Sequence, residues 1–241
     1  MRLTGLVSAG IIIYAIICTQ SRGGLLAILA VAGIGGLQII RSKILLGAIG
    51  AIAGLILLAA AGVSDRQSGG AHEEGIDESA MGRIYAWGAA INMATRNPFT
   101  GVGLDNFTNS YFFYSSHWDG KNHAVHSTWF GVLGETGFLG LISFLFMIGF
   151  TIYRAVATKK LLQNADVPPI AKSTSLAMVA CLAGFCASGT FLTQGFTWPI
   201  YILIGMTVGV AEYAKQVSGV SSSASRKLNR VNQNCCKLRQ S

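Results

Sequence analysis

Residues 124–150 read AVHSTWFGVLGETGFLGLISFLFMIGF, and the junction near the start of this stretch decides the fold. Upstream, from Ser64 to Val125, the chain is polar and rich in charge, glycine and aromatic residues. Downstream it turns apolar over 130–152. Runs of about 18 or more apolar residues are long enough to cross a bilayer as helices. Further apolar runs lie at 3–19, 24–40, 44–63, 174–193 and 198–213. The expected fold is all-α: a polytopic integral membrane protein with about six transmembrane helices and one large outer loop that contains an amphipathic helix.

The expected organisation comes from the same runs. A first transmembrane block of three helices covers 1–63, the loop 64–126, and a second block of three helices 127–213. A serine-rich basic tail, 214–241, is expected to be disordered. Residues 1–20 hold an apolar core, but no small-residue cleavage site precedes the polar break at Thr19-Gln20-Ser21-Arg22, so a retained helix is expected.

Composition supports a membrane class. Of the 241 residues, 51% are hydrophobic and 12% charged, against about 25% charged in soluble domains. The 30 glycines suit closely packed membrane helices. The net charge of +8 does not point to nucleic acid, because most basic residues fall on one side of the alternating connections. That side holds Arg2, Arg41, Lys43, the Arg154–Lys172 connection and the C-terminal tail. By the positive-inside rule it is cytoplasmic, and the long loop faces outward. The five cysteines show no zinc spacing and no disulfide framework.

Within the loop, 79–95 reads as a helix with Ile84, Trp87, Ile91 and Ala94 on one face and Ser79 as N-cap. Such a helix is expected to lie along the outer leaflet surface. Thr100-Gly101-Val102-Gly103 reads as a turn, and Asn106 to Trp118 is rich in aromatic residues suited to an interface or to sugar rings.

Three polar features fall on the outer face. Ser21-Arg22-Gly23-Gly24 puts an arginine at the membrane boundary, where it snorkels or meets an anion. Gly82-Arg83-Ile84-Tyr85-Ala86-Trp87 places Arg83 and Trp87 four residues apart on one flank of the loop helix. His126-Ser127-Thr128-Trp129 opens an apolar helix whose exposed amides and dipole favour an anion and a neutral imidazole. Glu135, two turns further on inside an apolar run, is a functional candidate or a helix-packing hydrogen-bonding group. Asp119, His123 and His126 have metal-like spacing, but Gly120-Lys121-Asn122 argues against a helix there and hence against a metal site. No Gly-x-Ser-x-Gly elbow, P-loop or His-Glu-x-x-His element occurs.

Taken in order, these elements resemble the O-antigen ligase-related family over roughly 15–150. The resemblance is carried by Ser21 to Gly24, Gly82 to Trp87, Asn97-Pro98-Phe99-Thr100-Gly101-Val102-Gly103-Leu104-Asp105-Asn106-Phe107, and His126 to Gly140. It is nearest to the O-glycosylation ligase subgroup found beside exosortase systems. The resemblance implies a multi-pass enzyme of the bacterial inner membrane that needs neither metal nor cofactor. It implies transfer of a glycan from a polyprenyl-pyrophosphate carrier to lipid A core, another glycan or a protein hydroxyl, on the periplasmic face. His126 and Arg83 are the implied catalytic pair, with Arg22, Arg83, Trp87 and Glu135 as expected substrate-binding residues. Family members usually have about twice as many helices, with the motif region in their second half, so the expectation here is a fragment lacking an N-terminal half, a misplaced start or one half of a split enzyme. A polysaccharide flippase subunit and an inactive ligase fragment are the alternatives.

The chemistry agrees with this set. A glycosyl pyrophosphate already carries a good leaving group, so the carboxylate pair of a glycosidase is not required. What remains is positive charge for the departing pyrophosphate and a base for the acceptor hydroxyl.

Overall fold

The computed structural model describes residues 2–19, 22–39, 78–118 and 120–217. Among the described residues there is no strand and there are seven helices. These are α1 (Arg2–Cys18), α2 (Arg22–Ile39), α3 (Glu78–Arg96), α4 (Phe107–Tyr114), α5 (Thr128–Gln163), α6 (Pro169–Gly189) and α7 (198–217). The expected runs at 3–19, 24–40, 130–152, 174–193 and 198–213 fall on α1, α2, α5, α6 and α7. The run at 44–63 lies outside the described residues, as do 64–77 and 218–241. α5 and α6 are long and apolar enough to cross a membrane, and Leu3–Cys18 and Ala27–Gly36 form shorter apolar helices.

Apolar side chains stand uncovered along these helices. Leu3, Leu6, Ile11 and Tyr14 of α1 are exposed, and so are Leu139, Ile142, Phe146 and Phe150 of α5. Water-facing surfaces seldom carry contiguous apolar area of this kind. α2 packs along α6, closely enough that a Cβ on Gly184 would meet the Val31 side chain. A second core joins α5, α6 and α7 through Val132, Phe144, Ile148, Leu182, Phe185 and Ile200.

The loop helix differs from its expected placement. It begins at Glu78, so Ser79 is inside it and not its N-cap. Its buried face is Ala86, Ala89, Ala90 and Met93, at i, i+3, i+4 and i+7, while Ile84 and Ile91 are 51% and 45% exposed. α3 packs against α5 through this face, and of the expected apolar face Ala94 is buried and Trp87 half-buried while Ile84 and Ile91 stay uncovered. Small residues permit the close approach, as between membrane helices. Gly134 of α5 faces the Ala90 backbone and the Met93 and Phe107 side chains. Phe107 and Tyr111 of α4, with Val125, complete this core.

α5 is broken. Gly137, at φ 69° and ψ −169°, splits it into a short N-terminal piece and a long C-terminal one. A break leaves carbonyls without helical partners. The 97–103 turn supplies them: Val102 N–H donates to Gly134 O at 3.0 Å and Gly103 N–H to Glu135 O at 3.0 Å. In return Phe138 N–H donates to Pro98 O at 2.8 Å. A Cβ on Gly101 would collide with the Glu135 backbone, and one on Gly137 with the Pro98 carbonyl.

Gly137→Ala is therefore expected to destabilise the fold strongly. Its dihedrals lie in a region essentially restricted to glycine, costing about 1–3 kcal/mol, and the new methyl meets Pro98. Thermal unfolding of detergent-purified protein, followed by tryptophan fluorescence, should show a clear drop in apparent Tm. An unchanged Tm would mean that the turn does not dock on the break.

Candidate active site

His126 is held in the left-handed backbone region, at φ 45°. Histidine tolerates this better than most side chains, but the conformation is uncommon. Its neighbours on both sides are pinned. The Trp87 indole N–H donates to Val125 O at 3.1 Å, and the Val125 side chain is buried. Trp87 itself stacks on Phe130 of α5, with centroids 4.9 Å apart. On the other side, Ser127 caps the backbone of α5: its carbonyl accepts the Gly131 N–H at 2.9 Å. Thr128 Oγ1 donates to Leu192 O at 2.6 Å and accepts from Gln194 N–H at 2.9 Å. His126 spans the gap between two fixed segments, and strain of this kind concentrates at functional sites.

Arg83 reaches the same place from α3. Its guanidinium lies over the Phe191 ring, 5.8 Å from the centroid. Phe191 belongs to the α6–α7 connection, the segment anchored by Thr128 and by the Trp129 indole bond to Thr190 Oγ1 at 3.4 Å. Stacking on an aromatic face leaves the guanidinium edge open to an anion.

The electrostatics agree with this proximity. Partial desolvation, then the Arg83 charge, then the His123 ring, hold the His126 imidazole below its ordinary value. The side chain is still solvent-exposed, so its desolvation is incomplete. The neutral form expected from the helix dipole is favoured, chiefly through burial and Arg83.

Ser127 adds an unusual feature. The residue is fully buried, and its Oγ has no hydrogen-bond partner among the described residues. It makes no side-chain cap on α5. A buried hydroxyl without a partner is costly and calls for an explanation.

The other expected site residues have different surroundings. Trp87 is half-buried between Val125 and Phe130 and acts on the His126 segment, not as an open platform. The Glu135 carboxylate accepts the backbone N–H groups of Asp105 and Phe107. Phe107 begins α4, so Glu135 satisfies amides that the helix start leaves free. Arg22 is the first residue of α2, and its side chain lies outside the described residues. Arg96 sits over the Tyr114 ring at 5.4 Å. Asp119 also lies outside the described residues, while His123 meets Tyr111 edge-on at 5.4 Å. Sequence reasoning placed Ser127 and Thr128 in a motif without giving them a role, and it missed Phe191, which nothing local marks.

Among the described residues, two helices are long and apolar enough to cross a membrane, and Arg83 lies near enough to His126, beside a helix N-terminus, for its charge to act on the imidazole. The chain matches the family model described as O-Antigen ligase over residues 7–145, more than half its length, and it belongs to that family. The family is membrane-associated and of ligase or glycosyltransferase type, with glycan and lipid-linked substrates. No curated protein and no solved structure matches the chain.

The pKa of His126 has a direct consequence. The folded value is depressed below about 6.5, so the neutral ring's contribution to stability is present above that pH and is lost as pH falls through the folded value. Arg83→Gln removes one of the depressing charges, and the His126 titration should move to higher pH. NMR of histidine-labelled protein reads this shift, and an unmoved midpoint would show that the two side chains do not interact.

Proposed function

We propose that this chain transfers a glycan from a polyprenyl-pyrophosphate carrier to an acceptor hydroxyl on the periplasmic face of the bacterial inner membrane. The membership in the O-antigen ligase family supports the reaction class. The observation that carries the mechanism is His126, held in a left-handed conformation with its pKa lowered beside the Arg83 guanidinium.

In this reading the acceptor O–H attacks the anomeric carbon, and His126 takes its proton. The bond from the anomeric carbon to the pyrophosphate oxygen breaks, and the pair of electrons leaves with polyprenyl pyrophosphate. Arg83 grips the departing pyrophosphate through its planar fork. Arg22, at the start of α2, is the second arginine for the same anion. The amides that open α5 offer further donors to phosphate oxygen. Trp87 and Glu135 serve by fixing the His126 segment and the 105–107 segment, not by touching substrate.

The charge asymmetry of the connections supports a periplasmic 64–126 segment, framed by membrane blocks at 1–63 and 127–213 and followed by a cytoplasmic tail. Lipid A core, a second glycan and a protein are all chemically adequate acceptors, since each offers a hydroxyl.

His126→Ala should abolish glycan transfer in cells, a loss of about 10²–10⁴-fold for a general base. Arg83→Lys should lose about 10²–10³-fold, because an ammonium cannot replace the bidentate contact. His123→Ala should be much milder. Glycan-specific blots of acceptor fractions, normalised to membrane protein level, measure all three. Normal transfer by His126→Ala would refute the mechanism, and equal loss from both histidine substitutions would replace it with a paired structural or metal role.

A further inference from the structure

We infer that a cavity between α3 and the 111–123 segment is a carbohydrate subsite that seats a pyranose ring of the glycan. The assignment rests on the glycan-transfer reading for its place in the reaction, but not for the binding itself. The cavity has a volume of about 510 Å³, inside the range of about 300–1,000 Å³ typical of small-molecule sites.

Its walls combine the two surfaces that a sugar ring presents. The C–H faces of a pyranose are apolar, and its rim is hydroxyl. Tyr85 and Trp118 supply aromatic wall, and Tyr111, buried in the adjoining core, bounds the cavity. The Tyr85 ring is backed by His117, stacked 4.2 Å away at 22°. Tyr111 and Trp118 are inclined to one another at 6.3 Å. Ser116, His117 and His123 add groups able to donate to or accept from hydroxyls. Aromatic body with a few polar groups is the usual make-up of a site that orients a small polar ligand.

The location fits the chemistry. His123 lines the cavity, and its ring is one of the groups that act on the His126 imidazole. Gly82, also in the lining, directly precedes Arg83. A sugar held here lies beside the segment that leads from His123 to His126. The ring belongs either to the lipid-linked donor or to an acceptor glycan, and the chemistry is common to both.

The test is saturation-transfer-difference NMR on the full chain in lipid nanodiscs, with methyl pyranosides as probes. No turnover is needed, so the result is independent of whether transfer occurs. Saturation should reach the ring protons of at least one pyranoside. Trp118→Ala should lose most of that transfer. Gly82→Leu is the second variant: a Cβ there meets nothing within 4 Å, so the new side chain enters free space on a helix and fills the cavity without disturbing the fold. Phe113→Ala, at an exposed ring of α4 outside the lining, should retain binding. Displacement of the pyranoside by a farnesyl-pyrophosphoryl sugar assigns the subsite to the donor, and persistence alongside it assigns the subsite to the acceptor. Absence of transfer to every pyranoside, or transfer that survives both Trp118→Ala and Gly82→Leu, overturns the inference.

Discussion

The break in α5 at Gly137 is the constraint on which the rest of the site depends. An unbroken helix would satisfy the carbonyls of Gly134 and Glu135 internally and would leave the 97–103 turn nothing to bind. With the break, Val102 and Gly103 donate into it and Phe138 answers to Pro98. That exchange fixes the end of α3, and α3 carries Arg83 and Trp87. It also sets Glu135 against the start of α4, so one glycine's geometry orders three helices.

The site itself is assembled by segments far apart in the chain. Trp87 holds the residue before His126, and the backbone and hydroxyl contacts of Ser127 and Thr128 hold the chain on its other side. Thr128 also fixes the α6–α7 connection, which brings Phe191 beneath Arg83. His126 and Arg83 are thus positioned by one network of tertiary contacts. In the proposed transfer, preorganisation of this kind would let charge stabilisation act without reorganisation at the moment of reaction.

Much of this was legible in the sequence, and the limits have physical causes. Apolar runs announced α1, α2, α5, α6 and α7 because length and hydropathy are local properties. Arg83 and His126 were both marked by the family's ordered motifs, and the Arg83 charge acts on the His126 imidazole. The buried face of α3 was not legible, because Ala86, Ala89 and Ala90 carry little hydrophobic signal and matter for their small size. Glu135 stood out because an ionisable group in an apolar run is rare, while the backbone amides beside it, some thirty residues upstream, leave no local signal. The left-handed backbone of His126 has no local signature, since both anchors that impose it are tertiary contacts.

The most direct measurement is product analysis on purified protein with a defined glycosyl-pyrophosphoryl polyprenol and an acceptor. Polyprenyl pyrophosphate should be released in step with glycosylated acceptor, and His126→Ala should release neither product above the uncatalysed level. Release of polyprenyl monophosphate, or full turnover by the His126→Ala protein, would contradict the proposed mechanism.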